Sequence, residues 1–166
     1  QAVLKPLAGT VSSEQLIISI MAGVTSSTIE GMLAGEVAAV RVMPNLALSV
    51  GQGMTAICPG SRASNDDLTL VEKMFKVCGQ VIVVDEKQMH AVTAVSGSGP
   101  AYFFYFVEAM IKTAKELGLS DQQANLLAKQ TSLGAAKTML ARPEEPAELR
   151  HQVTSKGGTT EAALAV

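Results

Sequence analysis

The chain has 166 residues, 48% hydrophobic and 17% charged, which is enough for a buried core and excludes a disordered tail. Its 13 basic and 15 acidic residues give a formal charge of -2, which argues against a nucleic-acid-binding scaffold. Two cysteines, Cys58 and Cys78, are too few for a disulfide framework or a cysteine-rich zinc site, so reduced thiols in the cytoplasm are expected.

The first half of the chain alternates between strand-like and helix-like segments. The β-branched run at 16–20 predicts a strand buried on both faces. Further strands are predicted at 37–42, 54–57 and 80–84, and helices at 3–11, 26–33 and 65–77. We expect Asn65-Asp66-Asp67 to cap the last of these helices and Gly79 to close it.

This alternation, with short links, implies crossover units and a largely parallel sheet. We therefore expect residues 1–85 to form the second half of a Rossmann-like, doubly wound α/β domain. No G-x-G-x-x-G motif follows a strand, so the phosphate-binding half of such a domain is not expected in this chain.

The pattern from Glu86 onward is all-helical, and residues 86–166 are predicted to form a helical domain. Its helices are expected at 100–117, 120–140, 147–153 and after Gly157-Gly158. The apolar stretch 91–111 is long enough to span a membrane, but Ser96–Pro100 interrupts it, so two buried helices that meet at a loop are expected instead. The consecutive aromatic residues from Tyr102 to Phe106 are expected to pack in a helical core.

The segment VTSKGGTTEA, residues 153–162, is the strongest candidate binding site. Gly157 and Gly158 let the backbone approach a ligand closely, and N–H groups at the start of the next helix favour an anion. Four hydroxyl side chains surround the glycines, and Lys156 and Arg150 add positive charge. The alternative is an ordinary glycine loop with threonine caps and a capping-box Glu161.

Two other places are candidates for ligand contacts. Ser96–Pro100 offers backbone donors and hydroxyls at the edge of a buried pocket, or is only a kink where two helices meet. Ala22–Thr25 and Met43–Asn45 follow strands, where ligands of open α/β sheets bind, or they simply form turns. His90 and His151 have no partner at ligand spacing, so neither a metal site nor a histidine base is expected.

Six motifs in chain order share their spacing with one known family: LIISIMAGVT, VRVMPN, GQGMTAI, AVTAVSGSGPAYFFYFVEAM, LGAAKTML and ELRHQVTSKGGTTEAAL. Together they resemble pyrroline-5-carboxylate reductase along essentially the whole chain. The resemblance implies an oxidoreductase of proline biosynthesis, and so of amino-acid biosynthesis, that reduces 1-pyrroline-5-carboxylate to L-proline with NADPH or NADH. It also implies a Rossmann-like domain, a helical dimerisation domain and a homodimer, and dimers of the family often assemble into rings.

The family's residue roles carry over to matching positions. Ser155, Gly157, Gly158 and Thr159 match the loop that holds the substrate carboxylate, and Thr160, the candidate catalytic residue, matches the hydroxyl that hydrogen-bonds the ring nitrogen. A second set matches the loop beside the nicotinamide and the substrate ring: Ser96, Gly97, Ser98, Gly99 and Pro100. A third set matches positions that line the nicotinamide-ribose end of the cofactor site: Ala22, Gly23, Val24, Met43, Pro44 and Asn45.

The resemblance has departures and alternatives. Leu46-Ala47 stands where the family usually has Thr-Pro, and Lys156 where a Pro is common. A reductase-like protein that has lost catalysis and serves as a binding or regulatory module is one alternative, and a related imine or 2-hydroxyacid reductase is another. Because the chain starts at Gln1 and ends within a helical pattern at Val166, it is expected to be an internal fragment. Such a fragment, without the Gly-rich half and the last helices, is expected to be inactive alone.

Overall fold

The computed structural model describes residues 3–33 and 37–165. Gln1 and Val166, on which the expectation of an internal fragment rested, lie outside the described residues. The chain divides into two compact units, Gln1–Phe103 and Phe104–Val166, and each is described by itself below. The predicted domain boundary after residue 85 stays a prediction.

A four-stranded sheet forms the centre of the first unit. All four predicted strands are confirmed, as β1 (Leu16–Ser19), β2 (Ala38–Met43), β3 (Gly53–Pro59) and β4 (Gly79–Val83). They lie side by side in chain order. β1 pairs with β2 in parallel, with Ser19 opposite Arg41, and β3 pairs with β4 in parallel.

Two of the three strand pairs are parallel, as expected for a largely parallel sheet, and the central pair is the exception. β2 and β3 run antiparallel, with Met43 opposite Ala56. Residues 44–52 join the two strands through a short 3-10 helix, Leu46–Val50, which ends at Gly51 in the left-handed region. A parallel crossover needs a dozen or more residues, so a link of this length returns the chain antiparallel.

Helices cover both faces of this sheet. They are α1 (Ser26–Met32), α2 (Asn65–Lys76) and α3 (Met89–Val92), with a 3-10 turn at Glu86–Gln88 and a π-helical turn at Thr93–Gly97. α2 is capped by Ser64, in a capping box with Asp67, rather than by Asn65, and Gly79 belongs to β4 instead of closing the helix.

The predicted helix over 3–11 is also wrong. Only Lys5–Leu7 forms a 3-10 turn, because Pro6 lacks an N–H donor and Gly9 leaves the helical region at φ +83°.

The core of the first unit follows the alternation of β2. Val40 and Val42 point to one face, where they pack with Ile57 and with Val71 of α2. On the other face, buried Met43, Ala56 and Cys58 pack with Met89 of α3. The expectation that the first strand is buried on both faces is wrong, because most of β1 is only half-buried and Ile20 beyond it is exposed.

The second unit is all-helical. The predicted helices are confirmed as α4 (Gly99–Glu116, which starts in the first unit), α5 (Asp121–Ala141), α6 (Pro146–Gln152) and α7 (Thr159–Leu164). Ser120 caps α5 in a capping box with Gln123. The overall class, an α/β part followed by an all-helical part, is as predicted.

The aromatic run on α4 does not pack in a core of the chain. Its five side chains, from Tyr102 to Phe106, are between 59% and 74% exposed. The expectation of helix-core packing is therefore wrong for the chain by itself. None of the helices in the described part of the chain is both long and apolar enough to cross a membrane.

Candidate functional site

The two predicted cofactor segments lie at the same edge of the sheet. β1 and β2 are parallel neighbours, so Ala22–Val24, which comes after β1, and Met43–Asn45, which begins at the last residue of β2, lie at one edge of the sheet. Gly23 has φ +73°, a left-handed conformation that disfavours any residue with a Cβ. No heavy atom of the described residues lies within 4 Å of where that Cβ would be, so the backbone here is open to a ligand.

The predicted substrate segment, Ser96–Pro100, contacts the end of β2. Nδ2 of Asn45 donates a long hydrogen bond of 3.5 Å to Oγ of Ser96, while Oδ1 of Asn45 accepts from the backbone N–H of Met54 at 3.2 Å. A Cβ on Gly97 would lie only 3.3 Å from Sδ of Met43. Glycine at this position therefore allows the Ser96 segment to lie directly against β2.

Ser96–Pro100 is not the loop that the sequence suggested. Thr93–Gly97 forms a π-helical turn, in which the N–H of Ser98 donates to the carbonyl of Thr93 at 2.8 Å, and α4 begins at Gly99. Pro100 lies in the first turn of α4, where a missing N–H costs no helical hydrogen bond. π-helical turns of this kind occur frequently at functional sites.

A pocket was expected at Ser96–Pro100, and an apolar cavity does lie beside Ser96, although its other lining residues were not predicted. It has a volume of about 400 Å³ and is lined by residues of β3, β4 and the segment 88–96. Met54 and Ala56, two residues apart on β3, form part of its wall, and Ser96 and Gln88 supply polar groups. The alternation of Met54 and Ala56 on one strand face was the available sequence signal.

The chemistry of the predicted cofactor segments fits one end of a dinucleotide. Ala22–Val24 and Met43–Asn45 contain no charged side chain, but they combine open backbone at Gly23, apolar surface and the Asn45 amide. Uncharged groups of this kind suit a nicotinamide and its ribose, whereas phosphates are bound by cations and helix N-termini. The residues therefore fit the nicotinamide-ribose end.

The glycine loop of the second unit joins α6 to α7. Gly157 has φ +75°, and the N–H of Gly158 donates to the carbonyl of Ser155 at 3.0 Å. A Cβ on Gly158 would lie 3.0 Å from the carbonyl oxygen of Ser155 and 2.5 Å from its Oγ, so a side chain here would be tight and would force the Ser155 hydroxyl to move. Ser155 and Thr159 are exposed, and Thr160 is half-buried.

The capping of α7 differs from the alternative that the sequence left open. Gly158 is the cap residue and offers no side chain, so no threonine caps this helix. Glu161 does fold back, but its Oε2 accepts from the N–H of Gly157 at 2.6 Å, one residue before the cap. The first N–H groups of α7 have no partner inside the helix by geometry, which leaves donors for an anion.

The positive charges expected near this loop differ in setting. Lys156 is an exposed loop residue. Arg150 and Arg142 line an apolar cavity of about 540 Å³ between α4, α5 and α6. Among the described residues, no group of three His, Cys, Asp or Glu is arranged to hold a metal ion.

A buried ion pair in the first unit was also missed. Arg41 is 1% exposed and forms a salt bridge with Oε1 of Glu86, whose Oε2 accepts from the N–H of Ser26 at 3.1 Å and from its Oγ at 2.6 Å. Burial raises the pKa of Glu86, but the Ser26 hydrogen bonds and the guanidinium outweigh it, so the pKa lies below its usual value. A charged residue within the apolar strand sequence AAVRVM was the signal.

Known proteins similar to this chain share one name. Residues 86–166 match the family model described as pyrroline-5-carboxylate reductase dimerisation. Pyrroline-5-carboxylate reductase 1 of Bacillus spizizenii is 41% identical over 164 residues, which cover 99% of this chain and 55% of the relative. The pyrroline-5-carboxylate reductase of Methanosarcina acetivorans is 44% identical over 159 residues, which cover 96% of this chain and 59% of the relative.

Solved structures agree with these relatives. The NADP-bound pyrroline carboxylate reductase of Plasmodium falciparum superposes with a TM-score of 0.93 at 32% identity, covering 99% of this chain and 66% of that one. The pyrroline-5-carboxylate reductase of Coxiella burnetii superposes with a TM-score of 0.83 at 39% identity, covering 99% and 60%. The chain thus spans little more than half the length of the relatives whose sequences it matches.

Proposed function

Because the chain belongs to the pyrroline-5-carboxylate reductase family, we propose that the whole protein reduces 1-pyrroline-5-carboxylate to L-proline with NADPH or NADH. This reaction is the last step of proline biosynthesis. The observation that carries the proposal is the contact between the predicted cofactor segment Met43–Asn45 and the predicted substrate segment Ser96–Pro100, where Asn45 contacts Ser96 and Met43 lies against Gly97.

The first unit binds the cofactor in this proposal. Ala22–Val24 and Met43–Asn45 line the nicotinamide and its ribose, and Ser96–Pro100 lies beside the nicotinamide and the substrate ring. When bound, the reduced nicotinamide supplies the hydride. The open backbone at Gly23 and the side chain of Asn45 orient the nicotinamide ring. The Asn45 side chain is fixed because both of its amide atoms are hydrogen-bonded, one to Ser96 and one to Met54.

The glycine loop of the second unit holds the substrate in this proposal. Ser155, Gly157, Gly158 and Thr159 bind the carboxylate of 1-pyrroline-5-carboxylate, and the first N–H groups of α7, which have no partner within the helix, support that assignment. The Thr160 hydroxyl hydrogen-bonds the ring nitrogen, where the imine is protonated and the product amine forms. A protonated imine is already electrophilic, so positioning of the reacting carbon is the main contribution of the protein.

We propose a homodimer as the working assembly. The match of residues 86–166 to a dimerisation model and the exposed aromatic run from Tyr102 to Phe106 support it. Five consecutive residues point to all sides of a helix, and a helix that is apolar all round is expected to be covered by other structure. We also propose that dimers assemble into a ring. We propose a cytoplasmic location, in which Cys58 and Cys78 stay reduced.

Kinetics of Thr160 variants test the assignment of this hydroxyl. We expect Thr160→Ala in the whole protein to lower kcat for NADPH-dependent reduction of 1-pyrroline-5-carboxylate by about 100-fold. Thr160→Ser, which keeps the hydroxyl, is the matched control and is expected to stay within about fivefold of the wild type. Equal activity of Thr160→Ala and wild type would remove Thr160 from the chemistry. A folded, NADPH-binding protein without any activity would favour the relative that has lost catalysis.

A further inference from the structure

The two segments that the proposal assigns to the cofactor, and the segment Ser96–Pro100 beside the substrate ring, lie close in sequence to one carboxylate network. Ser26 follows Val24 by two residues, and Arg41 precedes Met43 by two residues. Glu86 stands at the start of the helical run that leads through α3 to the π-helical turn with Ser96. Both oxygens of the Glu86 carboxylate are used to join these segments.

One oxygen of Glu86 binds β2, and the other binds the beginning of α1. Oε1 accepts from Nη1 of Arg41 in a salt bridge. Oε2 accepts from the backbone N–H of Ser26 at 3.1 Å and from its Oγ at 2.6 Å. The turn Ala22–Val24 is thereby held at one end by β1 and at the other end by Ser26.

Burial of Arg41 makes this geometry hard to change. The guanidinium is almost fully buried, and within residues 3–33 and 37–165 Glu86 is the only carboxylate in a salt bridge with it. In the same part of the chain, Nε and Nη2 of Arg41 have no hydrogen-bond partner. A buried cation needs its counterion in place, so loss of Glu86 leaves an uncompensated charge. The position of Glu86 is therefore fixed by Arg41, and Glu86 fixes Ser26 in turn.

We propose that Glu86 is a positioning residue for the nicotinamide-ribose site, acting through Ser26 and Arg41 on the turns that follow β1 and β2. This inference rests on the proposed function, because that function assigns Ala22–Val24 and Met43–Asn45 to the cofactor. Glu86 itself does not touch the cofactor in this account. It sets the distance between the two turns on which the cofactor lies.

NADPH titrations of the whole protein test the proposal. Glu86→Gln is expected to raise the Kd for NADPH by about tenfold, because the loss of a hydrogen-bonded charge lets both turns shift. The KM for 1-pyrroline-5-carboxylate is expected to change less than the Kd for NADPH, since the glycine loop that holds the substrate carboxylate belongs to the second unit. Ser26→Ala removes only the hydroxyl bond and keeps the ion pair, so it is expected to fold and to weaken NADPH binding by about threefold.

Glu30→Gln provides the matched control. Glu30 is also a buried carboxylate that holds a turn, since it accepts from Ser61 and from the N–H of Arg62 after β3. The Glu30→Gln protein is expected to have a lower thermal unfolding midpoint than the wild type and an unchanged Kd for NADPH. Unchanged NADPH affinity of Ser26→Ala, or equal weakening by Glu30→Gln, would overturn the positioning role.

The outcomes also separate this inference from the proposed function. A wild-type protein that binds NADPH and shows the expected variant pattern, but does not reduce 1-pyrroline-5-carboxylate, would support the inference and overturn the proposed function. A wild-type protein that binds no NADPH would overturn both.

Discussion

The backbone N–H of Gly157 donates a hydrogen bond of 2.6 Å to Oε2 of Glu161. The loop proposed to bind the substrate carboxylate is therefore already in contact with a carboxylate of its own chain. This bond holds Gly157 in its left-handed conformation. It also places a negative charge beside the donors that an anionic substrate would use.

Neutralising Glu161 is expected to improve substrate binding. Glu161→Gln keeps an oxygen that accepts from Gly157 but removes the charge that repels the substrate carboxylate. We expect the KM for 1-pyrroline-5-carboxylate to fall by roughly twofold to fivefold with little change in kcat. The control substrate is 1-pyrroline, which lacks the carboxylate and should show no fall in KM. An equal effect on both substrates would contradict the charge argument.

Gly60 is expected to tolerate no side chain. A Cβ at this position would overlap Oε1 of Glu30 and lie 2.8 Å from the carbonyl oxygen of Ala39. We expect Gly60→Ala to lower the free energy of unfolding by about 1–3 kcal/mol in urea denaturation. Gly31→Ala, in α1 with open space around the new Cβ, is the matched control and should raise it by about 0.5–1 kcal/mol. A Gly60→Ala variant with the same free energy of unfolding as the wild type would show that the turn after β3 can move.

The two thiols are expected to differ sharply in reactivity. Burial, together with the charge of Glu86, raises the pKa of the Cys58 thiol to about 11, whereas Cys78 is only half-buried. Alkylation of the native protein at pH 8, followed by peptide mapping, should therefore label Cys78 and spare Cys58. Labelling in denaturant should modify both, and Cys78→Ser should abolish native labelling within this chain. Labelling of Cys58 in the native protein at the same rate as Cys78 would contradict the burial and the raised pKa of the Cys58 thiol.

Acid is expected to weaken the Glu86 network. The pKa of Glu86 is lower in the folded state than its ordinary value of 4.5, so its contribution is complete above pH 4.5 and is lost as the pH falls through the folded-state pKa. The groups around this carboxylate are the Arg41 guanidinium, the Ser26 hydroxyl and the protonated Cys58 thiol.

Urea unfolding of wild type and Glu86→Gln measures this effect. We expect Glu86→Gln to be about 2 kcal/mol less stable at pH 7, a value below that for a fully buried pair because Glu86 is partly exposed. The difference should shrink below pH 4.5 as the wild-type carboxyl takes up its proton. A difference that stays constant down to pH 3 would assign the loss to packing instead of charge.

Local sequence patterns predicted the elements but not their pairing. The β-branched run of β1 and the capped amphipathic pattern of α2 are set by neighbouring residues, and both were found within a few positions. The antiparallel pairing of β2 and β3 could have been predicted from link length, because residues 43–53 between the two predicted strands are too few for a parallel crossover. The π-helical turn at Thr93–Gly97 was missed because the Ser-Gly run is also typical of a loop.

The other features that the sequence did not predict depend on contacts between positions far apart in the chain. Arg41 and Glu86 are 45 positions apart, and only the fold brings them together. The aromatic run from Tyr102 to Phe106 was assigned to a core because apolar residues are usually buried, yet its surface is left exposed by this chain. The sites predicted at Thr160, at the glycine loop and at the turns after β1 and β2 stay predictions.

The product stoichiometry of the wild-type reaction tests the central claim most directly. The whole protein is incubated with 1-pyrroline-5-carboxylate and NADPH, and both NADPH oxidation and L-proline formation are measured. Reduction of one imine bond consumes one hydride and one proton, so we predict one L-proline for each NADPH oxidised. NADPH oxidation without L-proline, or no oxidation by a folded protein that binds NADPH, would contradict the proposed reductase.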